Sequence, residues 1–148
     1  SGLTMSYALE DGLQQFYAGL AEKVENDEQK GLLLRLAGFE DKHKAWLAEE
    51  YSLISQGDSP PPSPQGDEAV MAGGRSVKQF LAGVRPEFLT LAEIFDMAMM
   101  FETQAMDLYS RLARQAEDDS SRELFLRLVD EEKMHLGYLE VEYERMMG

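Results

Sequence analysis

A chain of 148 residues with 44% hydrophobic residues is long enough to bury one core. Its formal charge of -14 argues against a nucleic-acid partner, because binding a phosphate backbone needs Lys and Arg to displace counterions. The absence of cysteine excludes disulfides, thiolate metal sites and CxxC redox centres. No basic n-region precedes an apolar h-region, and the apolar run from Met97 to Phe101 is flanked by Asp96 and Glu102. The expectation is a single soluble, cytoplasmic domain spanning 1–148, with no membrane partner.

Four long segments carry helical periodicity. The first runs from about Thr4 to Glu25, with Ser6, Glu10, Leu13, Tyr17, Leu20 and Val24 on one face. Asn26-Asp27 supplies a turn and an N-cap, and a second helix is predicted to run to about Ser55. Its inward stripe is Leu33, Leu36, Glu40, His43 and Leu47. The stretch SQGDSPPPSPQGDEAVMAGGRS follows, too rich in Pro, Gly and Ser to form one regular element, so a crossover is expected over about 56–86. Val77 to Val84 has room for one or two helical turns. With Pro86 at its N-terminus, a third helix is predicted from about Glu87 to Ala116, with a stripe of Phe95, Met99, Glu102, Met106, Tyr109 and Leu112. Asp118-Asp119-Ser120 offers the next turn and cap. The last helix is predicted to reach about Met146, presenting Phe125, Leu128, Glu132, His135 and Leu139.

Each stripe thus holds one glutamate, and two hold a histidine as well. Burying four uncompensated carboxylates would cost far more than the net stability of a domain. Two divalent cations would balance four ionised glutamates and leave both imidazoles neutral as nitrogen donors.

The two halves repeat at a shift of 92 positions. Glu10 falls on Glu102, Tyr17 on Tyr109, Leu20 on Leu112, Glu40 on Glu132 and His43 on His135. Each half reads E-x6-Y and then E-x-x-H, with 30 residues between its two glutamates. Residues 25 and 117 are the midpoints of these pairs, and both lie beside a predicted turn. In an antiparallel hairpin each pair therefore faces itself roughly 22 Å from the tip, at about 1.5 Å per residue. Within E-x-x-H the three-residue step puts both side chains on one helical face. Some thirty linker residues, at about 3.3 Å each, can return along a bundle on the order of 40 Å long. The expected fold is all-α: a four-helix bundle of two antiparallel hairpins joined by one long crossover.

A single E-x-x-H is weak evidence, since many such pairs are surface ion pairs. Here both histidines of the chain have a glutamate three residues before and another 33 residues before. Four such coincidences have a chance of about 2 in 10,000 by simple counting. The candidate metal ligands are Glu10, Glu40, His43, Glu102, Glu132 and His135. Tyr17 and Tyr109 lie on the same face and are either core aromatics or donors to a ligand carboxylate. Met97, Met99, Met100 and Met106 read as core filler. Trp46 either packs near the site or closes the core. The acidic helix ends read as solvated faces, and Glu131, about 100° from Glu132 around the helix, reads as exposed.

E-x6-Y and E-x-x-H, repeated across two helical hairpins, resemble the ferritin-like carboxylate-bridged di-iron proteins, particularly the rubrerythrin group. The resemblance covers the chain apart from the linker. It implies that Glu10 and Glu102 each bind mainly one metal, that Glu40 and Glu132 bridge the pair, and that His43 and His135 each cap one metal. It implies two Fe ions, with Mn as the alternative, and a reaction with O2 or hydrogen peroxide fed by a separate electron donor. If Fe(II) itself is the donor, the activity is a ferroxidase. It also implies a homodimer. Rubrerythrins carry a further glutamate where this chain has Ala105 and often append a four-cysteine rubredoxin domain, which is not found here. The four-glutamate, two-histidine set is similar to that of bacterioferritin. The competing expectation is an iron-binding or iron-handling protein without turnover.

Overall fold

The computed structural model describes residues 2–58 and 76–148. Over these residues the protein is all-α, with five helices and no β-strand. The Pro-rich part of the crossover, 59–75, lies outside the described residues. No described helix is long and apolar enough to cross a membrane. The chain divides into two compact units, residues 1–89 and 90–148.

The first unit is a helical hairpin with a short helix laid on it. Helix α1 spans Gly2–Lys23 and α2 spans Asp27–Ile54. The Asn26 side chain caps α2 by accepting from the backbone N–H of Gln29 at 3.0 Å. Asp27 and Glu28 then add negative charge where the helix dipole favours it. At the far end, Gln56 (φ 61°) and Gly57 (φ 109°) turn the chain away from α2, and the Gly57 N–H donates to Ser52 O at 2.8 Å. At that φ a side chain would be strained, so glycine suits the turn. Helix α3, Val77–Gly83, is capped by Ser76 and packs on α1, with Phe80 edge-on to Phe16 at 5.1 Å. Gly19 makes room for it: a Cβ there would meet Leu81 Cδ1 at 3.2 Å.

The predicted third helix is broken near its start. Pro86–Phe88 forms a single 3-10 turn, and Leu89 O accepts from Gln29 Nε2 at 3.0 Å. The continuous helix, α4, spans Leu91–Gln115. Its start is set by a capping box in which Thr90 Oγ1 accepts from the Glu93 N–H and Glu93 Oε1 accepts from the Thr90 N–H. Helix α5, Asp119–Met147, is capped by Asp118, whose carboxylate accepts from the Ser121 N–H at 2.8 Å. Helices α4 and α5 make up the second unit.

The stripes of α1, α2 and α5 are buried at every position named from sequence. That of α4 is rotated. Phe95, Glu102 and Tyr109 are buried, but Met99, Met106 and Leu112 are only half-buried. Ala98, Phe101 and Ala105 take the inner face instead. Alanine allows close helix approach, while flexible methionines fill its margins. Glu50, near the end of α2, is 7% exposed and so departs from the expected solvated helix end.

Candidate metal centre

Glu10 and His43 are brought together by the α1–α2 hairpin. Glu10, Glu40 and His43 are at most 2% exposed. His43 Nδ1 lies 3.3 Å from Glu10 Oε1, within hydrogen-bond reach, and 3.8 Å from Glu40 Oε2. The α4–α5 hairpin repeats the arrangement: His135 Nδ1 lies 3.8 Å from Glu102 Oε2 and 3.7 Å from Glu132 Oε2. Glu102 and Glu132 are fully buried, and His135 nearly so. In each unit one donor atom from each of the three residues lies within 4.8 Å of the other two.

These separations bear on what the groups can hold. Contacts of 3.7–3.8 Å are too long for hydrogen bonds. Two donors on one divalent ion, with bonds of about 2.0–2.2 Å as for zinc, stand about 3–4 Å apart. Two carboxylates and an imidazole nitrogen at such spacing, shielded from water, are a donor set suited to iron, manganese or zinc. The six residues singled out by spacing thus form two triads, one inside each hairpin.

The surroundings of the triads differ. Beside the first, Lys44 Nζ donates to Asp11 Oδ1 at 2.5 Å and to Gln14 Oε1 at 2.8 Å. Asp11 follows Glu10 and Lys44 follows His43, so this bridge ties α1 to α2 next to the triad. Trp46 stacks near the His43 ring, with centroids 6.0 Å apart, and Lys42 Nζ sits 4.9 Å from the Trp46 ring. Trp46 therefore packs beside the site. Tyr17 and Tyr109 are both buried, Tyr17 against Phe16 and Tyr109 stacked on Phe125 at 6.2 Å.

One residue beside the second triad departs from the sequence reading. Glu131 is not an exposed neighbour of Glu132: its side chain is 15% exposed and its Oε2 lies 3.8 Å from His135 Nε2. The i,i+4 spacing to His135 was the available signal.

The chain is similar to a solved structure of a hypothetical protein from Pyrococcus furiosus, with 28% identity, a TM-score of 0.66, and coverage of 99% of this chain and 88% of that one. No protein-family model and no curated protein matches the chain.

Proposed function

We propose that the protein is a di-iron oxidoreductase of rubrerythrin-like type, built as a ferritin-like four-helix bundle with one long crossover. The observation that carries this reading is the recurrence of one Glu–Glu–His geometry in two hairpins whose ligands are 92 residues apart. Glu10, Glu40 and His43 hold one ion, and Glu102, Glu132 and His135 hold the other. Their four carboxylates balance two divalent charges, which gives buried glutamate a reason to stay ionised. When bound, iron supplies the electrons for reducing O2 or hydrogen peroxide. The protein's part is to hold the ligands in register, through the Asp11–Lys44 bridge in the first hairpin, and to keep bulk water from the carboxylates. Re-reduction falls to a separate electron donor or to ferrous iron, since this sequence offers no cysteine-based redox centre.

The second reading, iron binding or handling without turnover, draws on Ala105. It is buried where the rubrerythrin pattern has another carboxylate. Mixing the Fe(II)-loaded protein with peroxide and an added reductant separates the two. The enzyme reading expects repeated oxidation cycles; one stoichiometric oxidation would replace it with the binding reading.

A further inference from the structure

We infer that Glu131 is a positioning residue for His135, an inference that rests on the metal-binding reading above. The His135 ring stands between carboxylates. Its Nδ1 faces Glu102 and Glu132 at 3.8 and 3.7 Å, and its Nε2 faces Glu131 at 3.8 Å. The helix explains this bracket: Glu132 reaches the ring from three residues before, and Glu131 from four. At 15% exposure, the Glu131 side chain acts through a medium largely shielded from water.

A neutral imidazole carries one hydrogen and one lone pair. If Nδ1 is to donate to a metal, the hydrogen belongs on Nε2. A carboxylate on the Nε2 side favours that tautomer, restrains the ring's orientation and makes Nδ1 a stronger donor. At 3.8 Å the interaction is one of charge; a shift of about 1 Å would bring it to hydrogen-bond length. Glu131 is not one of the donors on the Nδ1 side. The repeat has no counterpart: the position 92 residues earlier is Phe39, which has no charge. Glu131 is thus particular to the second hairpin, while the ligand spacing is common to both.

The test compares the full chain with Glu131→Gln and Glu131→Leu. Metal-free thermal melts establish that each variant folds, and Glu131→Gln, nearly isosteric, carries the test alone if the leucine variant does not. Co(II) titration, followed by ligand-field absorption, is expected to show one ion bound about 10- to 100-fold more weakly in Glu131→Leu, with Glu131→Gln between it and the parent. In the Zn(II)-loaded protein, the His135 Nε2–H resonance is expected to be protected and downfield, and to shift and exchange faster in the variants. Unchanged affinity with an unmoved resonance would overturn the role of Glu131 and leave the metal centre standing. So would weaker binding with an unmoved resonance, because the ring would not be the route. If the parent chain binds neither Co(II) nor Zn(II), the metal reading fails and this inference with it.

Discussion

The two hairpins share their Glu–Glu–His triads and little of what surrounds them. Glu10, Glu40 and His43 recur as Glu102, Glu132 and His135, and the core leucines Leu36 and Leu47 recur as Leu128 and Leu139. The supports do not recur. Asp11, Gln14 and Lys44, which tie α1 to α2, correspond to Thr103, Met106 and Leu136. Thr103 uses its hydroxyl on its own helix, donating to Met99 O at 2.7 Å. Trp46 beside His43 becomes Tyr138, and Phe39 becomes Glu131 beside His135. What is duplicated is the geometry a metal would demand. Each hairpin holds that geometry by its own means, the first with a polar bridge between helices and the second with apolar packing and one added carboxylate.

The largest effect expected is on metal binding, and it should be the same in both units. Glu40→Ala or Glu132→Ala alone should each remove at least one Co(II) per chain in a titration; full binding by either variant would break the equivalence. Next comes the shared core. Leu36 and Leu128 occupy corresponding positions and are both fully buried, so Leu→Ala at either should cost about 2–5 kcal/mol in chemical denaturation. A large inequality would show that the two cores are packed differently.

The third comparison sets the supports apart. Lys44→Met takes the ammonium away from the buried carboxylate of Asp11, which keeps the bond from Gln15 Nε2 at 3.0 Å, and should cost about 1–3 kcal/mol. Leu136→Met, at the corresponding position, should cost less than about 1.5 kcal/mol. Equal costs would show that the bridge adds nothing to the first hairpin.

The smallest effect separates the caps. Asn26 and Asp118 occupy corresponding positions, and each accepts from the backbone N–H three residues on. Replacement of either by alanine should cost about 1 kcal/mol. Only Asp118 titrates. The hydrogen bond from the Ser121 N–H holds its carboxyl below the ordinary value of 3.8. Its added stability is therefore present above that value and is lost as pH falls through the lower, folded-state pKa. The cost of Asp118→Ala should shrink in strong acid, while that of Asn26→Ala should not change.

The two buried triads were legible in the sequence because burying a charged group on an apolar stripe is costly and such stripes recurred at one spacing. Helices α1, α2 and α5 were legible because polar turns separate them, side-chain caps start α2 and α5, and the positions named for their stripes are buried. The start of α4 was misplaced because Pro86 suits a helix N-terminus, and the stronger signal, Thr90 followed by Glu93, lay four residues on. Its face was misjudged because small alanines compete poorly with methionine for attention in a hydrophobic pattern, although they permit closer packing. Glu131 was read as exposed because a rotation of about 100° from Glu132 suggests solvent, yet the imidazole four residues later lies 3.8 Å from it. The Asp11–Lys44 bridge escaped notice. Its two members follow Glu10 and His43 with the same 33-residue separation, but nothing in the second half repeats them.

The most direct test is elemental analysis of protein produced with ample iron, counted per chain. The two-triad account predicts about two irons, lost in the Glu40→Ala/Glu132→Ala variant while that chain remains folded. A folded parent chain that contains no iron and takes up no added Fe(II) would contradict it.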